Sequence, residues 1–215
     1  MYPAVFEDVA VTDLYHMEEK DFKGRNVLDA GANVGIFSII ASVAGARMVV
    51  AIEPNLASFS KIVHNCRPWQ NIHPLRFAVH DGTQAFCRTV GVGQECMVEL
   101  SPSGDVPVVT LRQAAALFPP SDNDALLKMD IEGAEFEALQ HDGAALRRFR
   151  TVMLETHCPS DPPRVKELRS FVIGLGYDMV SCVASCITSF KNGEEEKYAD
   201  LGMEICKFER VSQPA

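Results

Sequence analysis

Four apolar runs in this 215-residue chain end in acidic groups, and those ends are where its chemistry can lie. Val27 and Leu28 run into Asp29, residues 48–52 into Glu53, 125–129 into Asp130 and Glu132, and 151–154 into Glu155 and His157. Ligands of open α/β sheets bind outside the carboxyl ends of the strands, so such ends would gather these groups around one cleft. A carboxylate beside a hydroxyl can take its proton as a new bond forms. Asp130 is the first candidate for that base or for orienting an acceptor, with Glu132 or His157 second. Asp130 and Glu132 are two apart and share a face in extended backbone, an arrangement that Glu155 and His157 repeat. Glu135 reads instead as a carboxylate at a helix N-terminus, and Glu132 could act in the same way.

The turn after Asp29 narrows the ligand. Gly31-Ala32-Asn33-Val34-Gly35 leads into a helix with Ile36, Phe37, Ile39, Ile40 and Val43 apolar on nearly every side. Strand, glycine turn, helix and a strand ending in Glu53 make a nucleotide-binding half of a doubly wound fold. A dinucleotide fold wants G-x-G-x-x-G, whereas the spacing here is Gly31-x-x-x-Gly35. Asp29 would repel a pyrophosphate but suits a ligand carrying an ammonium and a sulfonium. Glu53 is placed to accept hydrogen bonds from both hydroxyls of an unphosphorylated ribose. S-adenosylmethionine (SAM) has these features, and nicotinamide dinucleotides lack the cationic end. The expected cofactor set is Asp29, Gly31, Ala32, Asn33, Gly35, Glu53, Pro54 and Asn55, joined by Asp130.

The elements that must position these residues alternate along the chain. A helix starts at Pro54-Asn55 and ends near Cys66, followed by a third strand over 75–79. Residues 85–100 read as two strands around Gly91-Val92-Gly93, a hairpin inserted into the alternation, and 101–105 as a loop. A short helix over 111–118, the fourth strand, a helix to about Gln140 and the fifth strand follow. Asp161 and Pro162 open a helix with Val165, Leu168, Phe171, Val172 and Leu175 as its core stripe. The last strands are 177–183 and 204–208, joined by an exposed loop over 191–197, and 213–215 read as a frayed end. The expectation is one α/β domain over 1–215, doubly wound, with an N-terminal extension (1–24) and the 85–105 insertion.

Composition excludes several classes. A formal charge of −9 without a basic stripe disfavours an electrostatic grip on nucleic acid. The order Cys158-Pro159 and the absence of an Asn/Asp-Pro-Pro-Tyr/Phe tetrad after the fourth strand speak against base methylation. The seven cysteines (66, 87, 96, 158, 182, 186 and 206) are odd in number and never in C-x-x-C, so they read as reduced thiols, Cys182 and Cys186 as apolar filler. With no signal-like N-terminus and no membrane-length apolar window, the chain reads as cytoplasmic, without a membrane partner. The strand-end acids with His157 could hold a divalent cation, but no spacing requires it, and the expected site contains no metal.

D-A-G-A-N-V-G-I-F-S at 29–38, I-E-P-N at 52–55, K-M-D-I-E-G-A-E-F-E-A-L at 128–139 and L-E-T-H at 154–157 resemble the FkbM family of SAM-dependent methyltransferases. The resemblance implies a seven-stranded, mostly parallel sheet of order 3-2-1-4-5-7-6, the last strand antiparallel. It also implies O-methylation of a hydroxyl on a sugar, polyketide or similar small metabolite. By position, Asp29, Gly31, Asn33 and Gly35 would form the methionine pocket and Glu53 the ribose clamp. Ala78 and Val79 would lie near the adenine, and Asp130 and Glu132 near the transferring methyl. Substrate recognition would fall to residues 1–24, 85–105 and 185–200. Two other classes compete. A nicotinamide oxidoreductase needs the missing third glycine, and a silent SAM-binding partner protein would be expected to have lost the acidic strand ends.

Overall fold

The computed structural model describes residues 13, 15–91, 96–157, 161–184 and 203–211. Its main sheet is built from β1 (Asn26–Ala30), β2 (Met48–Ile52), β3 (Ile72–Leu75), β8 (Ala125–Met129), β9 (Phe149–His157), β10 (Tyr177–Ala184) and β11 (Met203–Arg210). Every residue of β1 and β8 is buried, which is why these runs do not alternate apolar with polar; their polar members Asn26, Asp29 and Lys128 are buried with partners. The order is β10-β11-β9-β8-β1-β2-β3, with β11 antiparallel to both neighbours. Counting only these seven strands, that is the expected 3-2-1-4-5-7-6 with the last strand reversed.

Helices cover both faces. Leu28, Val50 and Leu127 point into a core with Phe118, Phe136 and Phe149. Their neighbours Val27, Val49 and Leu126 point the other way, onto Tyr15, Phe22 and Phe37. The second layer comes from α1 (Glu19–Phe22), α2 (Ile36–Val43) and α3 (Leu56–Asn65). The first comes from α4 (Leu111–Ala115), α5 (Glu135–Asp142), a 3-10 turn over Gly143–Arg148, and α6 (Pro162–Gly174).

Departures from the sequence reading gather in the insertion. β5 (Phe86–Val90) and β6 (Met97–Leu100) pair antiparallel as expected. The single strand expected over 75–79 is broken: β3 ends at Leu75, and β4 (Ala78–Val79) leaves to pair with β7 (Val106–Val109). These make a second sheet of order β4-β7-β5-β6. Pro107 hides β7 in the sequence because a proline cannot donate to a ladder and demotes the run that carries it.

The reading of all cysteines as reduced thiols also needs correction. Cys182 and Cys206 lie directly opposite in the β10–β11 pairing and are joined as a disulfide. Only the register of two strands far apart in sequence brings them together. Cys66, Cys87 and Cys96 are free; Cys158 and Cys186 lie outside the described residues, as do the 191–197 loop and the 213–215 tail. No helix among the described residues is long and apolar enough to cross a membrane.

The tips of β1 and β8 touch at one residue. Gly31 has φ +80°, and a Cβ there would stand 1.6 Å from the Asp130 carbonyl oxygen. Only glycine fits this approach. Gly31→Ala should therefore lower the thermal midpoint by roughly 6–12 °C, from about 3 kcal/mol of strain and displacement. Calorimetry finding a shift under about 2 °C would show that the strand tips can part at little cost.

Candidate functional site

The carboxyl ends of β1, β2 and β8 open onto one cleft of about 520 Å³, counting solvent at its mouth. Gly31 and Ala32 both donate their N–H to the Ile52 carbonyl (2.9 and 3.0 Å), so the glycine turn is folded over the end of β2. Glu53 then ties two turns together: Oε2 accepts from the Asn33 N–H (2.9 Å) and Oε1 from the Asn55 N–H (2.8 Å). Asn55 caps α3 by accepting from Ala57 and Ser58. Burial pushes the Glu53 carboxyl up to about 7, against the pull of those two N–H groups and Lys128. Ile52, Ala78 and Val79 give the cleft an apolar wall, and Cys96 and Val98 bring the hairpin to its rim. Asn55 donates to the Cys96 sulfur at 3.2 Å, so the insertion is fastened to the same turn as Glu53.

At the other end of the cleft stand Asp130 and Glu132, and beneath them lies a buried ammonium. Lys128 Nζ donates to the Gly31 carbonyl (2.7 Å) and to Asp130 Oδ2 (3.0 Å), and lies 3.5 Å from Asp29 Oδ1. Burial opposes its charge, but Asp130 and Asp29 hold its pKa above the ordinary lysine value. Asp29 is fully buried and does not line the cleft; it accepts from Ser38 Oγ at 2.6 Å and pairs with Lys128. Ala32, Gly35 and Asn55 likewise stand behind the lining rather than in it. Tyr15 Oη donates to Glu155 Oε2 (2.7 Å) and lies 3.5 Å from Asp130 Oδ2, with its ring near Lys128. Burial and the charges of Glu155 and Asp130 keep the phenol proton in place. Burial also raises Asp130 to about 6, against Lys128.

His157 stands among carboxylates. Glu135 is buried and accepts from the N–H of Ile131 (2.9 Å) and Gly133 (3.0 Å), so it ties down the turn before α5 rather than capping the helix, which has no side-chain cap. The same carboxylate faces His157 Nδ1 at 3.4 Å, and Nε2 lies 3.6 Å from Glu155 and 3.8 Å from Glu132. Burial opposes the imidazolium, but Glu135, Glu155 and Asp130 outweigh it and raise His157 to about 12. Glu132 is left-handed in backbone (φ +56°), and burial with Asp130, Glu155 and Glu135 nearby lifts it to about 8 despite His157.

The structure thus brings Asp130, Glu132, Glu155 and His157 together, adjacent to Gly31, Asn33, Glu53, Pro54, Ala78 and Val79. Sequence reasoning missed Lys128 and Tyr15. Lys128 had a signal, since it stands two before Asp130 in the same strand and so on the same face. Tyr15 had none.

A seven-stranded sheet with its last strand reversed, carrying a cleft with an acid at the end of β2, has the Rossmann-like architecture of class I methyltransferases. The chain matches the Methyltransferase FkbM domain over residues 29–179 and belongs to that family. It is 28% identical over 170 residues to the hexuronic acid methyltransferase AglP of Haloferax volcanii, covering 76% of this chain and 67% of that one. Its fold is similar to the FkbM methyltransferase of Methylobacillus flagellatus (TM-score 0.55, 14% identity, 86% of this chain and 43% of that one). Streptococcus pneumoniae Sp1610, solved in complex with S-adenosyl-L-methionine, is similar in fold too (0.52, 13%, 91% and 70%). The protein is a methyltransferase.

Two predictions follow from the buried charges. Lys128→Met leaves Asp29 and Asp130 without their cation, and should cost about 3–5 kcal/mol in urea unfolding; a loss under about 1 kcal/mol would mean that the carboxylates find other partners. Glu53 binds its proton more tightly folded than unfolded. Its contribution to stability is therefore fully present below about 4.5 and lost as pH rises through about 7. Glu53→Gln should accordingly flatten the fall in thermal midpoint between pH 5 and 8, and an unchanged slope would contradict this.

Proposed function

We propose that the protein is a SAM-dependent O-methyltransferase acting on a hydroxyl of a sugar or similar small metabolite. The observation that carries this reading is that the Gly31 turn, Glu53 and the Asp130–Glu132 pair line one cleft. The residues present fit the cofactor: an apolar wall at Ile52, Ala78 and Val79 for a purine, a carboxylate for a ribose diol, and an acidic end for a cationic sulfonium. When bound, SAM supplies an electrophilic methyl that passes to the acceptor oxygen as the sulfur–carbon bond breaks and sulfur keeps the electron pair. The acceptor class draws support from the hexuronic acid methyltransferase among the relatives. The net charge of −9 gives no support to a nucleic acid acceptor.

This chain's part is to position and to move one proton. Glu53 already accepts two backbone N–H bonds, and the remaining lone pairs of its oxygens are free for ribose hydroxyls. Asp130, the first choice for the base on sequence alone, is engaged by Lys128, which suits it to orienting ligands. His157 is flanked by three carboxylates and holds a proton rather than taking one. Glu132 lines the cleft with His157 3.8 Å away, and once ionised, above about 8, it is the group placed to receive the acceptor's proton. In-line alignment supplies the rest of the acceleration.

Titration calorimetry should show SAM binding at micromolar level, about −8 kcal/mol, and no NAD binding. Glu53→Ala should weaken SAM by about 1.5–3 kcal/mol. With a hexuronic acid glycan and radiolabelled SAM, Glu132→Gln should keep SAM affinity and lower turnover roughly 10²–10⁴-fold, while Asp130→Asn lowers both. NAD binding without SAM binding would overturn the cofactor, and wild-type turnover in Glu132→Gln would overturn the base.

A further inference from the structure

Glu132 departs from ordinary backbone geometry. Its φ is +56° and that of Gly133 is +102°, so two consecutive residues between β8 and α5 are left-handed. Glycine enters this region freely, but a residue with a Cβ is uncommon there and stays only where its surroundings hold it. Glu132 nevertheless lines the cleft, with its carboxylate 3.8 Å from His157 Nε2.

The side chain that holds this turn is Glu135. An acid in the first turn of a helix can favour the helix dipole while staying in water. Glu135 is fully buried instead, and its carboxylate folds back out of α5. Oε1 accepts from the Ile131 N–H (2.9 Å) and Oε2 from the Gly133 N–H (3.0 Å), the residues on either side of Glu132. Burying a carboxylate is costly unless hydrogen bonds satisfy it, and both of these bonds clamp the residue between them. Its third contact is His157, whose Nδ1 lies 3.4 Å from Oε1. Glu135 thus reaches both members of the Glu132–His157 pair, one through its backbone and the other through its ring. Helix capping does not account for this arrangement, since Ala134 caps α5 without a side-chain bond. Nor does cofactor binding, since Glu135 stands outside the cleft lining.

We propose that Glu135 is a positioning residue for methyl transfer: its grip on Ile131 and Gly133 holds Glu132 in the left-handed turn that carries the carboxylate into the cleft, with His157 set against it. Without that grip Glu132 relaxes toward ordinary backbone geometry and its side chain swings away from the acceptor. A base must lie within hydrogen-bond reach of the proton it takes, and a displacement of about 1 Å can cost about 10²-fold in rate. The inference rests on the reading of Glu132 as the base and adds what places it.

Two conservative variants separate reach from charge. Glu135→Asp keeps the charge but is one methylene too short to span both amides. Glu135→Gln loses the charge but keeps an oxygen, and one oxygen can serve both amides, as Oε1 lies 2.9 Å from Ile131 N and 3.2 Å from Gly133 N. The first readout needs neither cofactor nor acceptor: nuclear magnetic resonance titration of labelled glutamate carboxyls, with the Glu132 signal identified by its loss in Glu132→Gln. Burial, with Asp130, Glu155 and Glu135, raises Glu132 to about 8 against His157. In Glu135→Asp those charges remain and burial is lost, so Glu132 should fall toward its ordinary 4.5, while Glu135→Gln should keep most of the rise. An unchanged titration in folded Glu135→Asp would overturn the inference. So would an equal fall in Glu135→Gln, which also decides the matter if Glu135→Asp fails to fold.

Turnover of a hexuronic acid glycan with radiolabelled SAM gives the second readout. Glu135→Asp should lose about 10²-fold with SAM affinity unchanged, and lose nothing further in a Glu132→Gln background. Equal losses in both backgrounds would show a merely structural role and overturn this inference alone. Wild-type turnover in Glu132→Gln would instead sink the reading of Glu132 as the base, whichever way the titration falls.

Discussion

The buried ammonium of Lys128 is the contact on which the site depends. Taking such a charge out of water costs several kcal/mol, and here the cost is offset only because Asp29, Asp130 and the Gly31 carbonyl converge on it. Those partners belong to the end of β1, the end of β8 and the glycine turn between β1 and α2. One cation therefore holds three backbone segments at the spacing that makes the cleft. The approach is so close that the Asp130 carbonyl fills the volume a Cβ on Gly31 would need. The glycine therefore serves strand packing directly.

A second buried ammonium plays the same part at the neighbouring strand. Lys207 of β11 donates to Asp21 Oδ2 (2.8 Å) and to the His16 carbonyl (2.9 Å), which fastens the segment before β1 across the sheet. Tyr15 is thereby delivered to Glu155 and Asp130, and its ring packs edge-on against Phe37 of α2. Part of the N-terminal stretch expected to recognise substrate is thus bonded to the strand-end acids Asp130 and Glu155. It lies upstream of the residues that match the family domain. The hairpin reaches the same cleft, with Cys96 and Val98 among its lining residues.

The charge pattern divides the cleft by chemistry. At the β2 end a single carboxylate, held in place by two backbone N–H groups, suits a neutral diol. At the β8 and β9 ends, carboxyl groups outnumber cations and favour positive charge at the point where a sulfonium would sit. The raised acids follow from this crowding: burial disfavours the charged form of each, and each neighbouring carboxylate adds to the effect. His157 stays cationic in the same field for the opposite reason.

The main sheet was legible in the sequence because buried parallel strands are predominantly apolar and their ends are marked by polar residues. Asp29, Glu53, Asp130 and Glu155 each stopped such a run, and the turn chemistry of Gly31 and Gly35 placed a helix after the first. Sequence alone therefore determined the seven strands of the main sheet, the carboxyl edge and most of the residues around the cleft. It could not show the break at Leu75, because whether two residues extend one strand or start another depends on which partner's ladder lies in reach, here β7. Nor could it show which acids face the ligand and which face a lysine: Asp29 and Asp130 end their strands alike, yet one is sealed in the core and the other lines the cleft. Tyr15, Lys207 with Asp21, and the Cys182–Cys206 pair are likewise decided only when distant segments meet. Periodicity reports what lies on one face of one element. Ion pairs, cross-strand bonds and the sharing of a buried charge are properties of several elements at once, and only the folded chain sets them.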